Sequence, residues 1–212
     1  MRIVILDTET TGLRGTDEVI QFSSLCIDEN FTIKGASNSY CKVTIPVPPD
    51  ATAIHGITNE ILEELSDNKF LEDHIESLDY MVNPKDTIFI GYNISYDIDK
   101  INYSLTNAGY GPIDFGVNVN AIPSETKGRN YNICLMRTLR ENLGYKGRWK
   151  KLGDMVNEHL DEPIEVVNGL KRAIINEFKL CPGHGNETFH DALFDTIVTT
   201  LLFKKFIGMY RA

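Results

Sequence analysis

The chain opens on Ile3-Val4-Ile5-Leu6, apolar on both of the faces a strand presents, and passes without a break into Asp7-Thr8-Glu9-Thr10-Thr11-Gly12. A run with no polar side to turn to water predicts a strand over residues 2–6 that is covered on both faces. Alternate side chains of a strand share a face, so Asp7 and Glu9 point the same way. Two like charges that close repel each other, and both are costly to desolvate unpaired. A hard divalent cation is the expected occupant of the space between them.

The rest of the chain builds layers around that strand. Val19, Phe22 and Leu25 predict a second strand over 18–28, and residues 38–45 a third, after a polar turn at Asp28-Glu29-Asn30. Pro46, Pro48 and Pro49 break the pattern and leave a loop that carries Ile54-His55-Gly56-Ile57-Thr58 into a helix near 59–66. A helix over 70–82 precedes an apolar strand at 87–91, and Ile98, Ile101 and Leu105 predict a helix over 96–108. Residues 110–130, rich in Gly, Pro and Asn, read as an irregular excursion. A short strand near 131–134, helices near 135–143 and 150–160 and a last helix over 189–210 complete the pattern; 166–178 is compatible with a helix and 180–187 is turn-like. Three consecutive strands before alternating helices and strands predict an α/β fold, a mixed β-sheet flanked by helices, in a single domain over residues 1–212.

Further chemistry-bearing residues lie far downstream. Asp97, in Gly91-Tyr92-Asn93-Ile94-Ser95-Tyr96-Asp97, falls one turn into a helix near the carboxyl end of a buried strand, where open α/β sheets carry their sites. On its own it reads equally as a helix-dipole partner. His190 and Asp195 lie about 140° apart on an ideal helix, so they share a site only if His190 sits on the fraying first turn or in the preceding loop. In combination, D-x-E-T-T-G after the first strand, N-x-x-Y-D after an interior strand and H-x-A-x-x-D at the last helix resemble the DEDDh exonuclease superfamily, from Ile3 to about Phe206. Ile54-His55-Gly56-Ile57-Thr58 is similar to a further stretch common in that family, and points to the branch of the proofreading subunits of bacterial replicative polymerases.

The resemblance implies a ribonuclease-H-like fold and a 3′-to-5′ exonuclease that hydrolyses phosphodiester bonds at 3′ ends of single-stranded DNA or RNA, releasing nucleoside 5′-monophosphates. It implies Asp7, Glu9, Asp97 and Asp195 as ligands of two divalent cations and His190 as general base. Oxygen ligands suit Mg2+ or Mn2+ better than Zn2+. It also puts Thr10, Gly12 and Leu13 beside the terminal nucleotide, with His55 and Asn93 near the substrate. By themselves Gly12 reads as well as a turn residue, and His55 as one closing a loop. Asp191 is read as a helix cap, because the motif spacing selects Asp195. Tyr92 departs from relatives that carry His or a small residue before the Asn.

Charge and composition limit the partners. A net charge of −9 argues against tight non-specific binding to duplex nucleic acid, although a site that holds phosphates through metal ions is itself acidic. Lys146-Gly147-Arg148-Trp149-Lys150-Lys151 reads either as a segment that contacts phosphates and stacks a base downstream of the cut or as a solvated helix start. Cys26, Cys41, Cys134 and Cys181 lie far apart and predict free thiols in a reducing cytoplasm; Cys181-Pro182-Gly183-His184 is too poor in ligands for a Zn2+ site. No apolar stretch reaches membrane length and Met1 leads directly into a strand, so neither a membrane partner nor a signal peptide is expected. A last helix that runs to the chain's end favours a standalone enzyme over a dedicated polymerase subunit. DNA against RNA and the oligomeric state stay open. Two readings compete: an aspartyl phosphatase, which lacks the second Asp expected at position 9, and a catalytically silent nucleic-acid-binding module on the same fold.

Overall fold

The structure, a computed structural model, describes residues 1–185 and 188–210. In chain order the elements are β1 (Arg2–Thr10), β2 (Val19–Ile27), β3 (Ile33–Tyr40), α1 (Pro49–His55), α2 (Asn59–Leu65), α3 (Leu71–Ile75), α4 (Asp79–Val82), β4 (Thr87–Gly91), α5 (Ile94–Asn107), β5 (Val117–Asn118), β6 (Tyr131–Cys134), α6 (Leu135–Asn142), α7 (Leu152–His159), α8 (Ile164–Phe178) and α9 (Ala192–Phe206), with a 3-10 turn at Ile207–Met209. They form one sheet in the order β3-β2-β1-β4-β6-β5. β1 pairs antiparallel with β2 and parallel with β4, so the sheet is mixed, as expected.

The position of β1 explains its composition. Ile3 and Ile5 pack in one cluster with Leu193, Phe194 and Ile197 of α9, while Val4 and Leu6 pack with Ile94 and Ile101 of α5 on the opposite face. A strand covered on both sides favours apolar residues on both. Polar residues begin at Asp7 while the strand is still largely buried, and Asp7 and Glu9 continue the face that looks toward α9.

Four expectations are corrected. The third strand is Ile33–Tyr40, not 38–45. Asp28 Oδ1 accepts the Asn30 and Thr32 N–H groups, making a turn tight enough for β3 to start early. As an edge strand it is half exposed and shows no clear apolar alternation. The helix expected over 70–82 is two short helices separated at Leu78, whose backbone is extended. The prolines expected to keep 46–58 irregular instead start α1: Pro49 takes its first position, where no N–H is needed, and Gly56 ends it in the left-handed conformation at φ 76°. The last helix begins at Ala192 rather than 189, which leaves His190 outside it. The excursion over 110–130 is irregular except for the two-residue β5. No helix among the described residues is long and apolar enough to cross a membrane.

Candidate active site

Three elements deliver the acids. Asp7 and Glu9 come from the end of β1. Thr8, pointing to the α5 side, donates from both its backbone N–H (3.0 Å) and its hydroxyl (2.8 Å) to Asp97 Oδ1, so α5's first turn is tied to the strand between the two acids. Asp195, in the first turn of α9, accepts the backbone N–H of His190 on Oδ2 at 3.1 Å. Ligand atoms of Glu9, His190 and Asp195 lie within 4.8 Å of one another. His190 reaches that position with φ 67°, the left-handed region, which costs a non-glycine residue about 1–2 kcal/mol. Its placement in the preceding loop is what the 140° separation required.

The acids share one electrostatic neighbourhood. Burial, followed by the carboxylates of Asp97, Asp195, Glu9 and Asp191, holds the Asp7 carboxyl well above the usual range. Burial and then Asp195, Asp191 and Asp97 do the same to Glu9. Asp97 is pushed up to about 7 by burial, against the hydrogen bonds from Thr8, and Asp195 to about 8 by burial, against the His190 N–H. Carboxyls in this condition bind protons near neutrality unless a cation takes their place. His190 has an edge open to solvent, yet the protein packed round it, and then the Lys151 ammonium, lower its pKa, which keeps the ring neutral at pH 7.

The residues fit a divalent cation. Asp195 Oδ1 is buried with no hydrogen-bond partner among the described residues, a costly condition that a metal ion relieves. The donor set is oxygen-rich and acidic, the chemistry of Mg2+ or Mn2+. Asp7, Glu9, Asp97 and Asp195 are the residues that would hold it. The Cys181–His184 stretch offers no rival: His184 Nε2 donates to the His55 carbonyl (3.1 Å) and Nδ1 accepts from the Tyr40 hydroxyl (2.8 Å).

The residues expected around a terminal nucleotide fall into two groups. Thr10 and Gly12 belong to one turn, where the Gly12 carbonyl is met by the Thr10 hydroxyl at 2.8 Å and the Tyr96 hydroxyl at 2.9 Å. A Cβ at position 12 would come 2.7 Å from Asp17 Oδ2, and the φ of 157° is one that L side chains rarely adopt, so glycine is favoured there. Leu13 follows, 85% exposed. His55, 2% exposed, has a pKa lowered to about 4, chiefly by burial. Its Nδ1 accepts the Ile57 N–H at 3.0 Å, so Nε2 carries the proton, and that nitrogen is buried on the side of the Thr10 backbone. Asn93 is exposed at the N-terminus of α5.

Sequence reasoning missed Thr8, Tyr96 and Gln21. The last of these was detectable: a glutamine inside Val19-Ile20-Gln21-Phe22 is expensive to bury unless bonded, and it is fully buried and bonded at both ends of its amide. The basic run is held in place by Tyr92, whose hydroxyl donates to the Lys150 carbonyl at 2.7 Å, and by Arg140 lying 4.2 Å from the Trp149 ring centroid. Lys150 is engaged with Glu158, while Lys146, Arg148 and Trp149 are exposed.

A family model described as exonuclease (RNase T type) matches residues 4–162, a stretch that contains Asp7, Glu9 and Asp97. An uncharacterized exonuclease, CP81, of Escherichia phage 186 is 28% identical over 173 residues, 81% of this chain and 80% of that protein. The DNA polymerase III subunit epsilon of Buchnera aphidicola is 32% identical over 108 residues, 48% of this chain and 44% of that protein. Among solved structures, exonuclease I superposes with a TM-score of 0.71 at 18% identity, over 98% of this chain and 41% of that one. The shared fold is ribonuclease-H-like, with helices on both faces of a mixed sheet. This chain thus spans less than half of exonuclease I and of the epsilon subunit.

Proposed function

The chain belongs to the exonuclease family matched over residues 4–162, and from that premise we propose that it is a metal-dependent 3′-to-5′ exonuclease on single-stranded nucleic acid, releasing nucleoside 5′-monophosphates. The observation that carries this reading is the group of buried acids with raised pKa values around Asp195 Oδ1, with a neutral histidine beside them. When bound by Asp7, Glu9, Asp97 and Asp195, two Mg2+ or Mn2+ ions supply charge neutralisation on the attacked phosphate and acidify a water. His190 is placed to take the proton of the attacking water on its ring. Thr8 holds Asp97 in direction, and the Asp195 carboxylate holds the backbone of His190.

Substrate contacts follow from what each group presents. The Thr10–Gly12 turn brings backbone close to the 3′ end, Leu13 offers an exposed apolar face to a base, and the buried Nε2–H of His55 and the Asn93 amide offer donors. Single-stranded DNA is the first substrate to try, since Escherichia coli exonuclease I has been solved with a dT13 oligonucleotide. Four free thiols suit a reducing cytoplasm.

The test is a 5′-labelled single strand of DNA or of RNA incubated with Mg2+ or Mn2+. A ladder of shortened products is expected, abolished by chelator and by a blocked 3′ end but not by a blocked 5′ end. An uncut strand under both metals, with binding retained, would leave only the silent-module reading.

We further assign the basic run to the strand upstream of the cut and not downstream, because an enzyme working from the 3′ end leaves the long remaining chain on the 5′ side. Arg148→Ala is expected to weaken binding of a long single strand and to reduce the salt slope by about 0.7. Lys150→Ala should do less, because Glu158 already engages that ammonium. An unchanged slope in the Arg148 variant removes the assignment.

A further inference from the structure

The stretch between α7 and α9 has no part in the chemistry above, yet α8 sends a lysine into the core behind the site. Lys171, 6% exposed, places its ammonium 2.9 Å from Asp191 Oδ1, and Asp191 is fully buried. The same Oδ1 caps α9 by accepting the Phe194 N–H at 2.9 Å, while Oδ2 accepts from the Gln21 amide at 3.2 Å. Gln21 completes the loop, since its Oε1 accepts the Ala192 N–H at 3.1 Å. Gln21 is also the residue of β2 paired opposite Glu9. Two elements, α8 and β2, therefore grip the two residues that follow His190, and the grip from β2 stands directly across from a site acid.

Capping alone does not call for this arrangement. A neutral Ser or Asn satisfies an N-terminal N–H as well as Asp does, and an ion pair withdrawn from water is a poor source of stability. What charged and bidentate groups from separate elements do supply is a single geometry. The residue that needs one is His190, held at φ 67° with its N–H on Asp195.

We propose that Lys171, Asp191 and Gln21 form a positioning relay that locks the left-handed backbone of His190 and so aims its ring at Glu9 and Asp195. None of the three touches substrate; they act through His190. The relay rests on the reading of His190 as the base, and its test separates the two.

The experiment is a double-mutant cycle on the full chain, pairing Lys171→Met with His190→Ala. In the wild-type background Lys171→Met is expected to lower kcat by about 10–100-fold. KM and calorimetric Mn2+ affinity should stay within about twofold. In the His190→Ala background the same substitution should cost less than about twofold more. Lys171→Arg should restore most of kcat. In the metal-free protein the carbon-labelled ring resonance of His190 should move in Lys171→Met while that of His74 stays, a readout that needs no turnover. Should Lys171→Met fail to fold, Lys171→Met with Asp191→Asn, which removes both charges of this pair, takes its place in the cycle. An equal loss in both backgrounds, or a folded Lys171→Met with wild-type kcat, overturns the relay. If His190→Ala itself turns over like the wild type, the base assignment falls and the relay with it.

Discussion

Asp195→Asn is expected to lower turnover by about three orders of magnitude and, at the same time, to make the metal-free protein more stable at pH 8. The first effect follows from weakening the hold on a cation that would neutralise charge on the attacked phosphate, several kcal/mol at about 1.4 kcal/mol per decade. The second follows from linkage. Asp97 and Asp195 are held at about 7 and about 8 in the folded chain, above the ordinary carboxylate value of about 3.9. Between those limits the native state keeps protons that the unfolded chain releases. The contribution of these groups to stability is therefore fully present below about pH 4 and is lost as pH rises through 7 to 8. Asparagine has no proton to lose there, and its carbonyl can still accept the His190 N–H. Thermal scans of the metal-free protein at pH 5.5 and pH 8 check this: the wild type should lose more on going to pH 8, and the variant should melt roughly 2–4 °C higher there per kcal/mol gained. Added Mn2+ should stabilise the wild type by about 2.7 kcal/mol at a hundredfold excess over Kd, and the variant hardly at all. A variant that keeps the full metal-induced shift would remove Asp195 from the metal shell.

His190→Ala is expected to reduce kcat by about 10²–10⁴-fold while leaving metal affinity unchanged, because in the proposed mechanism the side chain moves a proton and holds no cation. Glu9, His190 and Asp195 are close enough to share an ion, so the result discriminates between two roles. Calorimetric titration with Mn2+ showing a large loss of affinity would make His190 a ligand instead of a base. The pH profile gives a second check. Surroundings that shield the ring, and then the Lys151 ammonium, lower its pKa, so the acid limb of wild-type kcat/KM should lie below about pH 6.5 and vanish in the variant.

Much of the site could be read from local pattern. The apolar run before Asp7 and Glu9 implied a strand covered twice, and an i, i+2 spacing on such a strand leaves only one way for the carboxylates to point. Asp97 was legible for the same reason: one turn into a helix after a buried strand is a local relation. The errors arose where geometry is set by partners distant in the chain. β3 was misplaced because an edge strand need not alternate, and its register comes from β2. The helix α1 was hidden because three prolines read as breakers, although Pro49 stands where a helix tolerates one.

The last motif marks the boundary between the two kinds of information. The three motifs, through the family they resemble, named four acids and a histidine, and the phase of a helix determined that His190 could join Asp195 only from outside it. Tertiary structure alone decided that it does so: the left-handed turn at His190 is held by Asp195 and by a network in which Gln21 and Asp191, 170 residues apart in the chain, meet at 3.2 Å. Periodicity records which face of an element is buried, because that depends on near neighbours. It carries no record of which distant amide or ammonium will satisfy a buried carboxylate, because that is settled only when the layers pack.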